Sequence, residues 1–268
     1  MHTNTSGIYV SRQLISSTYL NRQVIIDSYL PPVNASFQQA SLLLINDGQD
    51  LVTMQFNEIL EQLYNANTIE PVFCVGIHCS EDRKNEYGTA GIPDYLGRGA
   101  KASLYTAFII NELLPFLYKT YSNYFFTQKA FAGFSLGGLS ALDIAWRHPG
   151  IFSKAGVFSG SFWWRDKAQE DPDFNEDTHR IMHRIIRQGN YNPNLQFFFE
   201  VGTLDETADR NNNGIIDAID DTLALIKALK SKGYPDTGIR YIELKDGRHD
   251  VATWARAFPD FLIWGWGR

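Results

Sequence analysis

The chain has 268 residues, 44% hydrophobic and 14% aromatic, with 24 basic and 30 acidic side chains and a formal charge of −6. Such apolar content buries a large core and excludes disorder, while the acidic balance, with no basic stripe, excludes a nucleic-acid partner. No apolar run approaches the roughly 18 residues of a membrane span, and the start MHTNTSGIYV lacks the regions of a signal peptide, so a cytoplasmic location is expected.

In chain order, GIYVSRQLISSTYLNRQVIIDSYLPP reads as an antiparallel hairpin turning near Leu20–Asn21 and closed by Pro31-Pro32. ASLLLIND follows, a continuous apolar run of the kind buried on both faces of a parallel sheet. LVTMQFNEILEQLYNAN has helical spacing, with Met54, Ile59 and Leu63 on one face. IEPVFCVGIH is the next buried strand. Its two cysteines, Cys74 and Cys79, project to opposite faces and are not expected to pair, in keeping with a reducing compartment.

SLYTAFIINELLPFLYKTY is helical, QKAFAG a strand and LGGLSALDIAWRHPG a helix. KAGVFSG, LQFFFEVG and RYIELKDG supply three more strands, with TLALIKALKSKG and TWARAFPDFLIWGW as the remaining helices. Strand and helix alternate from about residue 41 to the end. That pattern predicts a three-layer α/β/α sandwich with a mostly parallel central sheet and an N-terminal antiparallel hairpin. No repeat or linker divides it, so a single domain over 1–268 is expected, with a short polar lid insertion at 161–180 in which Pro172, between Asp171 and Asp173, keeps the chain extended.

GFSLGG stands between the strand KAFA and a helix, and satisfies G-x-S-x-G with Gly133, Ser135 and Gly137. A serine on so tight a strand-to-helix turn needs small neighbours, which let the chain pass and lift its hydroxyl above the sheet. The Leu136 N–H, at the helix start, is then a donor for an oxyanion. Asp-Gly in INDGQD permits a second bend, which directs the Gln49 N–H toward the same point.

A serine nucleophile needs a base. His2 is terminal, His78 ends a strand, and His148 sits at a helix end; His179 and His183, four apart on a polar stretch, are expected on a solvated face. His249 follows the last strand in KDGRHDVATW, where the chain order Ser…Asp/Glu…His of α/β-hydrolases puts the base. The carboxylate between them is Asp205, just after LQFFFEVG, with Glu206 and Asp209 as neighbours able to take its place.

The acidic stretch continues as DRNNNGIIDAID, which follows a calcium-loop template. Asp209, Asn211, Asn213, the Ile215 carbonyl, Asp217 and Asp220 fall at positions 1, 3, 5, 7, 9 and 12, and Gly214 at the sharp turn. Asp instead of Glu at position 12, and no helix before the loop, point to a structural Ca2+ of modest affinity. An Asx-rich turn capping the following helix needs no ion and stays open. Trp163, Trp164, Tyr87 and Trp254 are candidates to face a substrate through their rings.

These motifs together resemble the family named "Putative esterase" within the α/β-hydrolase fold, which includes trilactone (enterobactin-type) esterases, feruloyl and other carbohydrate esterases, and trehalose mycolyltransferases. The likeness runs through YLPP, INDGQD, FIINELLPFL, GFSLGG, VFSGSFWW, GTLDE and GRHDVATWARAFPDFLIW. His249, Asp250 and Trp254 keep the H-D-x-x-x-W spacing of the trilactone and feruloyl esterases. Asn46 stands where many relatives place a histidine, and SEDRKNEYGT resembles their R-x-x-E-Y stretch, read as an Arg83–Glu86 brace. The resemblance implies a serine hydrolase of small-molecule or carbohydrate esters, with Ser135, Asp205 and His249 catalytic and Gln49 and Leu136 forming the oxyanion hole. Two alternatives remain: acyl transfer to a carbohydrate hydroxyl, and a non-catalytic, calcium-dependent carbohydrate-binding protein.

Overall fold

A computed structural model describes residues 7–32 and 38–268; His2 lies outside the described residues. Its eight strands are β1 Tyr9–Ser17, β2 Arg22–Leu30, β3 Gln38–Asn46, β4 Val72–Ile77, β5 Tyr124–Phe134, β6 Lys154–Phe158, β7 Gln196–Leu204 and β8 Ile239–Arg248. They form one sheet in the order β1-β2-β4-β3-β5-β6-β7-β8. β2 runs antiparallel to both β1 and β4, and every pair from β4 to β8 is parallel. This is the expected α/β sandwich with its N-terminal hairpin.

Side chains alternate across the sheet. Phe197 and Phe199 enter the core on one face and Phe198 the core on the other. Each fully buried Leu, Val or Phe contributes roughly 1.5–3 kcal/mol. On the first face lie a helical rod over 102–120, α2 (Leu136–Arg147), α3 (Ile181–Gln188) and α4 (Asp217–Lys232); on the second lie α1 (Phe56–Asn65) and α5 (Val251–Trp266). Among the described residues no helix is long and apolar enough to cross a membrane.

Three local expectations are corrected. The helical pattern from Leu51 is broken at Gln55, whose φ of 55° is left-handed, so α1 starts at Phe56 and buries Phe56, Leu60 and Leu63, with Ile59 only at the edge. The polar insertion is not extended around Pro172 but turned, with Phe174 N donating to Asp171 O at 2.8 Å, and the short helix Glu176–His179 follows. The chain then forms α3, which buries His183 completely instead of leaving it on a solvated face. Cys74 and Cys79 are both free thiols.

Parallel pairing has a direct consequence for chemistry. The turns that leave β3, β5, β6, β7 and β8 all emerge at the same edge of the sheet, where open α/β sheets gather their ligands. Ser135 leaves β5, Asp205 leaves β7, and His249 leaves β8.

Candidate active site

The turn at Ser135 is as tight as the motif requires. Its φ of 53° and ψ of −122° lie where side-chain-bearing residues rarely stand. A Cβ at Gly133 would come within 2.4 Å of Gly137 O, and one at Gly138 within 2.8 Å of Val157 Cγ1. Strand and helix therefore touch through bare backbone. Ser135 N donates to Phe158 O at 2.8 Å, and its Oγ stands 3.3 Å from Ser161 Oγ. Ser135 remains partly open to solvent.

Asp205 and His249 face each other across the ends of β7 and β8, with Asp205 Oδ2 3.7 Å from His249 Nδ1. The imidazole is 41% exposed while the carboxylate is 1% exposed. Neither oxygen of Asp205 has a hydrogen-bond partner among the described residues, and the 3.7 Å to Nδ1 is longer than a hydrogen bond. Gly202 makes room for this arrangement, because a Cβ there would meet Gly247 C at 2.4 Å and Asp205 Oδ1 at 2.6 Å. Trp254 packs edge-on against His249, with ring centres 5.4 Å apart, and Asp250 caps α5 by accepting from Thr253 N at 2.8 Å. Glu206 and Asp209 do not share Asp205's place: Glu206 lines the cleft, and Asp209 lies in the loop beyond.

Glu200, on β7, was not singled out from the sequence. Its carboxyl is buried without a partner among the described residues, and burial together with the nearby Asp205 pushes it up to about 8. A lone Glu within an aromatic strand, FFFEV, is the signal that could have marked it.

The turn after β3 supplies the opposite wall. The Gln49 N–H opens the short helix Asp50–Thr53 and the Leu136 N–H opens α2, positions at which helices leave amides unpaired. Asn46 links the two turns. Tyr105 O–H donates to its Oδ1 at 2.5 Å, and its Nδ2 donates to Gly137 O at 2.8 Å. The expected Arg83–Glu86 brace is replaced by two others: Arg83 pairs with Asp47, and Glu86 accepts two bonds from Arg22 at 2.7 and 2.6 Å. Three residues apart on one short turn, Arg83 and Glu86 each find a partner from a different segment. Gln49 bridges to Cys79, whose thiol is pushed up to about 11, mainly by burial.

Of the four rings expected to face a substrate, only Trp163 lines the narrow cleft, with Ser159, Gly160, Asp205, Glu206, Ala218 and His249. Tyr87 and Trp164 are fully buried and Trp254 nearly so. Tyr87 accepts from Asp47 N at 3.2 Å, and Trp254 Nε1 donates to Ser159 Oγ at 2.9 Å. These three rings are packed into the protein around the site.

The acidic loop beyond Asp205 closes on itself. Asp209 accepts from Asn213 N and Gly214 N at 3.1 and 2.9 Å, while the Asn211 and Asn213 amides both donate to Asp220 Oδ2, at 2.7 and 3.1 Å. Asp217 instead accepts from Arg210 N at 2.9 Å, and Ile215 is exposed. Among the described residues, no group of three or more His, Cys, Asp or Glu side chains could hold a metal ion. A buried ionic cluster ties this loop to the polar insertion: Arg180 and Arg210 both bond Asp221, and Arg210 Nε donates to Glu176 Oε1 at 2.6 Å.

Comparison with known proteins gives a consistent picture. The family model described as "Putative esterase" matches residues 17–264. "Uncharacterized protein YbbA" of Bacillus subtilis (strain 168) is 23% identical over 246 residues, 90% of this chain and 91% of that protein. Among solved structures, the enterobactin esterase FES from Shigella flexneri superposes with a TM-score of 0.72 at 19% identity. The match covers 96% of this chain but only 58% of that enzyme. A ferulic acid esterase gives 0.72 at 17% identity, over 97% of both chains. The siderophore hydrolase EstB from Aspergillus nidulans gives 0.72 at 15%, over 98% and 96%.

Proposed function

Because the chain belongs to the "Putative esterase" family, we propose that it is a serine hydrolase that cleaves carboxylic esters of small molecules through an acyl-enzyme. Ser135 Oγ attacks the ester carbonyl carbon while its proton passes to His249 Nε2. Asp205, beside Nδ1, fixes the ring's tautomer and stabilises the imidazolium. The carbonyl oxygen takes the developing charge and is met by the Gln49 and Leu136 amides. His249 returns the proton to the departing alcohol oxygen. Water, deprotonated by the same ring, then attacks the acyl carbon and releases acid and free serine.

One observation carries this reading. A strained serine at the end of β5 and an Asp–His pair 3.7 Å apart at the ends of β7 and β8 share one sheet edge. The names of structural neighbours that act on siderophores and on ferulic acid support a small-molecule ester. Ser135→Ala should lose hydrolysis of p-nitrophenyl butyrate by several powers of ten and take no label from a fluorophosphonate. Full activity in that variant overturns the assignment.

The 209–220 loop is a structural cation site in this reading, stiffening the chain just past Asp205 and supplying no chemistry. The spacing of Asp209, Asn211, Asn213, Asp217 and Asp220 around Gly214, whose φ of 85° makes the sharp turn, supports it.

A further inference from the structure

The turn after β6 holds none of the residues assigned above, yet it touches the turn of Ser135, the strand that leads to Asp205 and the indole beside His249. At one end Ser161 N donates to Ser135 O at 3.2 Å, and the two hydroxyls lie 3.3 Å apart. At the other, Ser159 N donates to Glu200 O on the acid-bearing strand at 2.8 Å. Ser159 Oγ accepts from Trp254 Nε1 at 2.9 Å, and that indole is the one edge-on to His249. Both serines are buried, and Ser159 is held at a φ of 49°. Gly160 between them is packed so closely that a Cβ would fall 2.6 Å from Val157 Cγ1.

Resting on the reading of Ser135 as nucleophile, we propose that the Ser159-Gly160-Ser161 turn completes the catalytic apparatus, Ser161 by donating a hydrogen bond to the nucleophile's oxygen and Ser159 by positioning His249 through Trp254. Ser135 has one proton and two lone pairs. Its proton goes to His249, and one lone pair forms the new bond to carbon. The Ser161 O–H meets the other lone pair as negative charge builds on the oxygen, and again as that oxygen leaves in deacylation. Ser161 keeps its own proton throughout. Ser159 never meets the substrate's reacting atoms. Its oxygen fixes the Trp254 rotamer, and the indole edge limits where the imidazole can swing. Ser135 is already clamped to this turn from both sides, so one short segment sets the distance between nucleophile and base.

The test uses the full chain with Ser161→Ala, Ser161→Thr, Ser159→Ala, Trp254→Phe and the pair S159A/W254F. S161A keeps the backbone bond to Ser135 and loses only the hydroxyl. Its kcat and its fluorophosphonate labelling rate should both fall about 10–100-fold, as for a lost bond to a charging atom, with KM nearly unchanged. S161T, which keeps the hydroxyl, should recover most of the loss. S159A should lose about tenfold and displace the acid limb of the pH–rate profile, and W254F added to it should cost nothing further. Labelling is measured below the melting transition of every variant, which separates these effects from unfolding. Wild-type kcat and labelling in S161A, or losses from S159A and W254F that multiply, overturn the inference. The parent reading fails separately: only an active Ser135→Ala removes it.

Discussion

Arg83 grips Asp47 through two parallel hydrogen bonds, Nε to Oδ1 at 2.7 Å and Nη2 to Oδ2 at 2.8 Å. Asp47 is left-handed at a φ of 59° and lies two residues before Gln49. The guanidinium also sits over Tyr87, 5.1 Å from its centre, and the Tyr87 oxygen accepts from Asp47 N. The turn bearing the proposed oxyanion donor is thus held at side chain and backbone together. Arg83→Ala should lower kcat by about tenfold with little change in KM, and cost about 1–3 kcal/mol of stability because Asp47 is left buried alone. Arg83→Lys should recover only part of both, since an ammonium cannot reproduce the two-pronged contact. Steady-state kinetics and thermal melts check this; an A variant with wild-type kcat refutes it.

Tyr105 and Asn46 give a second handle on the same hole. The phenol donates to Asn46 Oδ1 and so forces the amide nitrogen toward Gly137 O. Asn46→Asp removes that donor and sets a carboxylate against a carbonyl. Its kcat should fall at least tenfold, and Tyr105→Phe should fall less. The two changes together should cost less than their sum, because they act on one bond.

Two buried groups should shape stability in opposite directions. Burial, with Arg180 nearby, lowers His183 to about 3, so between pH 3 and 6.5 the unfolded chain holds a proton that the folded one lacks, and stability rises with pH. Glu200, raised to about 8, keeps its proton when folded while the unfolded chain has lost it above 4.5, so between 4.5 and 8 stability falls as pH rises. Each slope is about 1.4 kcal/mol per pH unit and they offset between 4.5 and 6.5. Glu200→Gln should therefore flatten the decline from pH 6.5 to 8 in denaturant melts. His183→Gln, which keeps a donor toward Asp221 O, should flatten the fall below 4.5. A Glu200→Gln curve parallel to wild type from 6.5 to 8 contradicts the assignment.

Calcium makes a sharper demand on the 209–220 loop. With the ion at ten to a hundred times its Kd, about 1.4–2.7 kcal/mol of stabilisation is expected, or several degrees in Tm. The shift should disappear with EDTA and in Asp220→Ala. An identical midpoint with and without calcium removes the cation reading. Activity at a temperature well below the transition should not respond to the ion.

What could be read from the sequence was local. Alternation, apolar runs and the Gly-x-Ser-x-Gly turn each occupy a few consecutive residues, so strands, helices and the place of Ser135 followed from short-range rules. The side chains' choice of partner did not. Nothing near Arg83 in the chain says that it prefers Asp47, 36 residues upstream, to Glu86 on its own turn. His183 looked solvated because it stands four residues from His179 on a polar stretch, yet α3 turns the ring inward to Asp221 O at 2.9 Å. Tyr87 and Trp164 looked available because aromatic rings suit ligands as well as cores, and only packing decides between the two. Ser159 and Ser161 were passed over because a serine after a strand is ordinary; their meaning lies in what the fold sets beside them.

The pairing of Arg180 and Arg210 on Asp221, with Glu176 joined to the second arginine, has a practical corollary for chimaeras. Residues 165–180 cannot be exchanged for a relative's alone. A graft that replaces Glu176 and Arg180 but leaves Arg210 and Asp221 in place strands buried charge. The two segments must travel as one cassette.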